Sequence, residues 1–247
     1  LVRSSLFEKI ICKNVSQKPK QFHHVEIQIG NAKNPQDVVD YENIIYRSLR
    51  SKEKSQKILR FVQDEITIKD RNLMIDAICR FHYKLGAITN TFYRFVGIFD
   101  RYLSVAQIPK HEIKLTACTC FLIASKIEDI YPPKINDLIN LSEKSFSRED
   151  ILSLEIKIIN AISFKTTFAT PLFYLTQFLR INGQSSEIFL ISRYILEIMQ
   201  SCEHFYGVAP ALQASVAVMV TRILSKEEEK WTKSLYDYTQ FTEEQLY

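Results

Sequence analysis

Apolar residues recur at intervals of three and four over much of the chain. The clearest stripes occupy residues 38–49, 74–85 and 92–103. Their apolar members are Val38, Tyr41, Ile45 and Leu49; Met74, Ile78, Phe81 and Leu85; and Phe92, Phe95, Phe99 and Leu103. Residues three and four apart share one face of a helix, so the pattern predicts amphipathic helices that each turn a stripe toward a core. We therefore predict an all-α fold.

One segment is apolar or uncharged on every face. The run "LTACTCFLIA" at 115–124 carries no charge and is too short to span a membrane, which is typical of a helix surrounded by other helices. Boundary signals agree with helices on either side: "YPP" at 131–133 ends one, and Ser147 followed by Glu149 and Asp150 begins another. We predict that 115–124 forms the central helix of a core.

The chain also repeats itself. "LTACTCFLIASK" from 115 matches "LQASVAVMVTRI" from 212 at an offset of 97 residues, which also relates Leu138 to Leu235. "FSREDIL" from 146 matches "FTEEQLY" from 241 at an offset of 95 residues. This predicts two tandem five-helix repeats, the second truncated about one turn into its last helix. The position that matches Lys126 is Ile223, so the fold itself does not require a lysine there.

Composition removes several classes of site. The five glycines are scattered singly, which argues against glycine-rich phosphate loops. The five cysteines are odd in number without a CxxC pair, which favours reduced core residues in an intracellular protein, and no histidine has ligand-spaced partners, so we expect no metal and no cofactor. A net charge of +4 is too small and mixed to indicate a nucleic-acid partner, and no apolar run predicts a membrane span.

Four segments carry a family pattern. They are "ITIKDRNLMIDAI" at 66–78, "FDRYLS" at 99–104, "ASKIEDIYPP" at 124–133 and "LSLEIKIINAISF" at 152–164. In order and spacing they resemble the cyclin family, specifically the mitotic A/B type. Upstream, "DYENIIYRSLRSKE" at 40–53 resembles the extra N-terminal helix of A/B-type cyclins. The resemblance covers roughly 34–247.

The resemblance implies a fold and a function. The fold is two tandem five-helix cyclin boxes preceded by an N-terminal helix, with an extension at 1–35, the helix and first box at 36–164, and the second box at 165–247. The function is that of a regulatory subunit, not an enzyme, which binds and activates a cyclin-dependent serine/threonine kinase for cell-cycle control by holding the kinase C-helix in its active orientation. It implies a heterodimer with that kinase, located in the nucleus and cytoplasm.

Family position also implies the kinase-binding residues. The lysine of the "ASK" motif is Lys126, and the glutamate of the fifth helix is Glu155. Together an ammonium and a carboxylate could hold main-chain groups at the entry to a partner helix. The other residues assigned to this surface are Ile127, Glu128, Leu122, Ile158, Phe164, Tyr41 and Ile45. Taken singly, Lys126 would be a cation at a helix C-terminus and Glu155 an ordinary exposed carboxylate.

A second family site shows departures. Many A/B-type cyclins capture Arg-x-Leu peptides of substrates or inhibitors on an MRAIL patch followed by a tryptophan and an acidic residue. Here the run is "DRNLM" at 70–74, Ala77 takes the tryptophan position, Arg80 the acidic one, and Lys114 the place of a glutamine. Loss of the indole and reversal of charge predict weak or altered docking, with Leu73, Met74 and Ile113 left to form a modified pocket.

Two other classes compete with the kinase regulator. One is a cyclin-fold transcription factor resembling initiation factor B, which binds DNA and protein and would need a contiguous basic face. The residues that could contribute to one are Lys52, Lys54, Lys57 and Arg60, although acidic residues interrupt them. The other is a module that only bridges proteins. "RSSL" at 3–6 contains the Arg-x-x-Leu of a destruction signal, which two fixed residues can produce by chance.

Overall fold

A computed structural model describes residues 29–30, 33, 38–55, 59–143, 145–181, 183 and 185–246. The "RSSL" segment and Lys57 lie outside these residues. The helices are α1 (Val39–Ser55), α2 (Ile68–His82), α3 (Thr89–Leu103), α4 (Ile113–Glu128), α5 (Ile135–Leu141), α6 (Arg148–Ala161), α7 (Pro171–Ile181), α8 (Ser186–Gln200), α9 (Pro210–Leu224), α10 (Lys233–Thr239) and α11 (Glu243–Leu246). Short 3-10 turns occur at Lys110–Glu112 and Glu203–Phe205. The described residues contain no strand, and the prediction of an all-α fold is confirmed.

The chain forms two compact units. The first-repeat unit consists of 58–170 and 200–207, and the second-repeat unit consists of 1–57, 171–199 and 208–247. Helix α1 therefore belongs to the same unit as α7 to α11, although it precedes the first repeat along the chain. The domain boundaries predicted from chain order, 36–164 and 165–247, assign α1, 165–170 and 200–207 differently from these units.

Helix α4 lies at the centre of the first-repeat unit, as its uncharged sequence predicts. Every residue from Thr119 to Ser125 is buried. The Phe121 ring meets the edge of Phe95 at 6.2 Å, and Phe95 stacks on Phe99 at 5.6 Å, so the aromatic stripe of α3 packs directly on α4. The surrounding helices α2, α3 and α6 each contact α4. The central helix of the first repeat is thus confirmed.

A buried ion pair joins α2 to α3 in the same unit. Arg71 donates from Nε to Asp100 Oδ1 at 2.9 Å and from Nη2 to Oδ2 at 2.6 Å, which is the bidentate geometry that makes such pairs strong. The remaining nitrogen donates to the Gln200 carbonyl at 2.6 Å. Because both charges are buried, loss of either partner would leave an uncompensated charge. The pair therefore fixes how α2 meets α3.

The second-repeat unit is built in the same way around α9. Residues 213–222 of that helix are all buried, just as α4 is buried in the first repeat. Leu138 and Leu235, which the repeat relates, are 1% and 0% exposed. An aromatic cluster fills the rest of this core, with Tyr46 of α1 at 4.3 Å from Tyr238 and 6.0 Å from Tyr174. The equivalence of α4 and α9 holds in the structure.

Candidate functional site

Lys126 and Glu155 form an ion pair at the surface of the first-repeat unit. The Lys126 Nζ lies 2.6 Å from Glu155 Oε1 and 2.8 Å from Oε2. The Lys126 side chain is 43% exposed and that of Glu155 is 20% exposed. An ammonium has three donors and each carboxylate oxygen has two lone pairs, so both groups keep capacity for a further partner. The family resemblance pairs these two residues, and in the structure their charged groups are in contact.

Local helix signals set the position of each member of the pair. Lys126 lies in the last turn of α4, which ends at Glu128. Glu155 lies two turns into α6, whose start is fixed by a reciprocal capping box between Ser147 and Asp150. The backbone and side-chain hydrogen bonds from Ser147 hold the pKa of Asp150 below its ordinary value. The helix start predicted at Ser147 is confirmed.

Glu128 points into the protein. Its Oε1 accepts a hydrogen bond from Arg94 Nε at 2.6 Å, and its Oε2 accepts one from Asn90 Nδ2 at 2.7 Å. The carboxylate side chain is only 14% exposed. Residues 126 and 128 lie about 200° apart around a helix, so one side chain turns outward when the other turns inward. Family position assigned Glu128 to the kinase-binding surface, whereas the structure gives its carboxylate internal partners.

Arg94 connects this carboxylate to the segment that leaves the first repeat. Its Nη1 donates to the carbonyls of Thr166 at 3.1 Å and Phe168 at 2.6 Å, and its guanidinium lies 4.6 Å from the Phe168 ring centroid. A third tie comes from Thr170, whose hydroxyl donates to Asn90 Oδ1 at 2.7 Å. We call Arg94, Glu128, Asn90 and the segment 166–170 the Arg94 clamp. Sequence reasoning missed it.

The Phe168 ring is held from three sides. The Arg101 guanidinium lies 3.6 Å from its centroid, and Arg101 Nη1 donates to the Gly97 carbonyl at 2.8 Å. A Cβ at Gly97 would come within 2.3 Å of the ring, so this glycine permits the close approach. Burial lowers the pKa of Arg101 to about 10, and the nearby Arg94 cation adds to that effect while Asp100 opposes it. Two cations thus lie against this ring within the range of a cation–π interaction.

The apolar residues assigned to the kinase-binding surface divide into two groups. Ile127 is 44% exposed and Phe164 is 72% exposed, so both offer surface to a partner. Leu122 and Ile158 are 1% and 0% exposed. They lie on the inward faces of α4 and α6 and support the surface from below, because a residue buried within its own chain cannot add area to an interface.

Phe164 has an unusual backbone. Both Ser163 and Phe164 have left-handed φ angles, 52° and 57°, which are uncommon for residues with a side chain. Hydrogen bonds hold them there: Ser163 N donates to the Asn160 carbonyl at 3.0 Å, and Phe164 N donates to the Ile159 carbonyl at 3.0 Å. Such strain concentrates at functional sites. Here it ends α6 and leaves the Phe164 ring facing solvent.

The remaining assigned residues lie on α1, α2 and α4. Tyr41 and Ile45 are exposed on α1 of the second-repeat unit, and Ile44 beside them is exposed as well. In the first-repeat unit, the altered docking patch contributes Met74, Ala77 and Lys114 to the lining of a cavity of about 260 Å³. Among the other patch residues, Leu73 and Arg80 are exposed, whereas Ile113 is buried. Of Leu73, Met74 and Ile113, which were predicted to form a modified pocket, Met74 lines this cavity.

Metal ligands and membrane-spanning helices also bear on the class of site. No group of three or more His, Cys, Asp or Glu side chains is placed there to hold a metal ion. None of the helices described is both long and apolar enough to cross a membrane. Of the cysteines within the described ranges, Cys120 is buried and Cys118 is half-buried, and burial raises the pKa of Cys118 to about 12.

Comparison with known proteins places the chain in a family. Residues 41–167 match the cyclin N-terminal domain and residues 169–247 match the cyclin C-terminal domain. A G2/mitotic-specific cyclin of Antirrhinum majus is 31% identical over 94% of this chain and 53% of its own length, and G2/mitotic-specific cyclin S13-6 of Glycine max is 27% identical over 94% and 51%. The chain thus spans about half the length of these relatives. A crystal structure of a viral cyclin from herpesvirus saimiri is 19% identical, with a TM-score of 0.72 over 80% of this chain and 90% of that one. Because the two domain matches together cover most of its length, this chain belongs to the cyclin family.

Proposed function

We propose that the chain is the regulatory subunit of a cyclin-dependent serine/threonine kinase and activates that kinase for cell-cycle control. Membership of the cyclin family and similarity to proteins named as G2/mitotic-specific cyclins support this function. The observation that carries it is the Lys126–Glu155 pair at the surface, together with the exposed apolar residues Ile127 of α4 and Phe164 after α6.

The pair suits recognition better than stability. Exposed ion pairs stabilise a fold by only about 0–1 kcal/mol, so the fold has little need of this one. The ammonium can donate to backbone carbonyls at one end of a partner helix, while the carboxylate accepts from backbone amides. The exposed side chains of Ile127 and Phe164 would supply apolar contact area to that partner helix. Polarity would then set the direction of the bound helix.

Activation follows if this surface binds one kinase conformation better than another. A protein kinase needs the glutamate of its C-helix paired with the ATP-site lysine. A partner that binds only the inward C-helix shifts the population toward that state, and a change from 1:99 to 99:1 requires about 5.5 kcal/mol of differential binding. An interface of roughly 1,200–2,000 Å² is large enough to provide it. The chain itself would carry out no chemical step.

The test mixes the purified chain with a cyclin-dependent kinase and measures both affinity and phosphotransfer. Lys126→Ala and Glu155→Ala should each weaken binding by about 2–5 kcal/mol, roughly thirtyfold or more, because each leaves its partner unpaired in a desolvated interface. The swap Lys126→Glu with Glu155→Lys keeps an internal pair but reverses its polarity. It should also lose binding while its free energy of unfolding in urea stays within about 0.5 kcal/mol of the parent.

Lys157→Ala, an exposed change on the same helix as Glu155, is the matched control and should leave affinity unaltered. Full activation by the polarity-swapped variant would show that this pair is not the grip on the kinase. Binding without any rise in phosphotransfer would instead indicate a bridging module.

A further inference from the structure

The end of α8 and the segment that follows it lie along α2. The Gln200 carbonyl accepts a hydrogen bond from Arg71 Nη1 at 2.6 Å, and the Ser201 hydroxyl donates one to Asp76 Oδ1 at 2.5 Å. The short turn Glu203–Phe205 contacts α2 as well. All of these residues belong to the first-repeat unit. The segment therefore stays close to α2 throughout.

The contacts advance along α2 in chain order. The partner of Gln200 is at position 71 and the partner of Ser201 is at position 76, so the next residue, Cys202, is expected beside the following turn of α2. Cys79 is in that turn, three positions after Asp76 and on the same face of the helix. Three helical positions advance about 4.5 Å, and consecutive Cα atoms are about 3.8 Å apart. Both cysteines therefore lie a comparable step beyond the Ser201–Asp76 hydrogen bond, one on each side of the contact.

The surroundings of these two cysteines suit thiol chemistry. Both are half-buried, whereas Cys120 is buried, so a small reagent can reach either thiol of the pair. A disulfide needs Cα atoms about 4.4–6.8 Å apart, and small adjustments of the backbone decide whether that range is met. Cys202 has an extended backbone between α8 and the Glu203–Phe205 turn, where the chain can adjust without breaking a helix. The pair therefore combines proximity with access.

We propose that Cys79 and Cys202 form a reversible disulfide when the chain meets glutathione disulfide. One cysteine thiolate attacks a sulfur of glutathione disulfide, which forms a mixed disulfide and releases one glutathione thiolate. The second cysteine thiolate attacks the protein sulfur of the mixed disulfide, forms the Cys79–Cys202 bond and releases the second glutathione. The two cysteine thiols lose two protons and two electrons, and these convert one glutathione disulfide into two glutathione thiols.

The disulfide ties the segment 200–207 to α2. It closes a long loop of the chain, and a cross-link of this kind restricts the unfolded chain more strongly as the loop grows. Oxidation therefore makes the first-repeat unit harder to unfold, and reduction reverses the change. The bond involves this unit alone, so the proposal holds whether or not the chain activates a kinase.

The experiment equilibrates the full chain with mixtures of glutathione and glutathione disulfide, blocks the remaining thiols with N-ethylmaleimide, and maps the disulfides by tryptic digestion and mass spectrometry. Trypsin separates the relevant cysteines, with Cys79 in fragment 72–80, Cys202 in fragment 194–222, and both cysteines of α4 in fragment 115–126. Fragments 72–80 and 194–222 joined by a disulfide should become the main oxidised species, and dithiothreitol should separate them. The oxidised chain should melt at least about 5 °C above the reduced chain.

Three variants locate the bond. Cys79→Ser and Cys202→Ser should each abolish both the joined fragments and the rise in melting temperature. Cys118→Ser changes another half-buried cysteine, on α4, and as the matched control it should keep both. Circular dichroism of the reduced variants shows that they are folded. Glutathione attached to either cysteine of the parent without any joined fragments would overturn the proposal, and so would a disulfide from either one to a different cysteine.

Discussion

Replacement of Arg94 by methionine should make the first-repeat unit easier to unfold, because it removes the contacts that hold the Arg94 clamp together. Methionine keeps the apolar stem but removes the donors to Glu128 and to the carbonyls of Thr166 and Phe168. A hydrogen bond to a charged group contributes about 1.5–3 kcal/mol, and loss of one member of a fully buried ion pair costs about 3–5 kcal/mol. The Glu128 side chain is 14% exposed, so water recovers part of that cost. We expect a loss of about 2–4 kcal/mol in the free energy of unfolding.

Urea denaturation followed by circular dichroism measures this change. The double-mutant cycle adds Glu128→Gln alone and combined with Arg94→Met. Since the residues touch, the double variant should be more stable than the two separate losses predict, with a coupling of about 1–3 kcal/mol. Lys157→Met is the control, because an exposed substitution on a helix should stay within about 0.5 kcal/mol of the parent.

A loss below about 1 kcal/mol for Arg94→Met, or a coupling energy near zero, would refute the clamp as a stabilising unit. The kinase affinity of the Glu128→Gln variant then shows whether this carboxylate contacts the kinase. If Glu128→Gln lowers kinase affinity without lowering stability, the carboxylate contacts the kinase as family position implied. If kinase affinity and stability fall together, Glu128 supports kinase binding by stabilising the fold.

The remaining predictions concern a cap, a close approach, a core ring and an exposed ring. Ser147→Ala should raise the pKa of Asp150 toward 3.8, as followed by NMR titration. In the parent this carboxylate contributes stability above its ordinary pKa, and that stability is lost as pH falls through its lowered folded pKa. The stability of the variant should therefore depend less on pH in this acidic range. Gly97→Ala should lower the thermal midpoint, since its Cβ would lie 2.3 Å from the Phe168 ring; an unchanged midpoint would mean that the ring moves aside at no cost. Phe121→Ala should cost about 3–5 kcal/mol in urea unfolding because the ring is fully buried, with Lys157→Met again as the exposed control. Phe164→Ala should weaken kinase binding at least about tenfold while leaving the urea midpoint nearly unchanged, and a variant that binds as the parent does would remove Phe164 from the interface.

Helical periodicity and the internal repeat were sufficient to predict the core. The uncharged run of α4 could only be buried, and its counterpart α9 is buried as well. Leu122 belongs to that uncharged run, so the same pattern predicts a core position for it, and the structure buries it. Its assignment to the kinase-binding surface came from family position alone.

The Arg94 clamp could not be predicted from the sequence. Arg94 sits off the apolar stripe of α3, where an arginine normally extends into solvent. Two of its acceptors are backbone carbonyls 72 and 74 residues later, and carbonyls leave no trace in residue type. The cavity beside Ala77 could not be predicted for a related reason. Ala77 indicates the loss of a large ring, but only coordinates show that its neighbours leave space instead of closing over it.

The last turn of α4 contributes one residue to each of two ion pairs, one at the surface and one mostly enclosed. Lys126 meets Glu155 at the surface, where an ion pair adds little to stability, and Glu128 meets Arg94 in a mostly enclosed position, where loss of a partner is costly. The two residues are separated by one position, and helix geometry alone turns them to opposite sides. Changes at either position are therefore expected to reduce kinase activation, but for different reasons. A change at Lys126 should alter affinity in a fully folded chain, whereas one at Glu128 should alter affinity only as far as it loosens the 166–170 segment, which follows the exposed ring of Phe164.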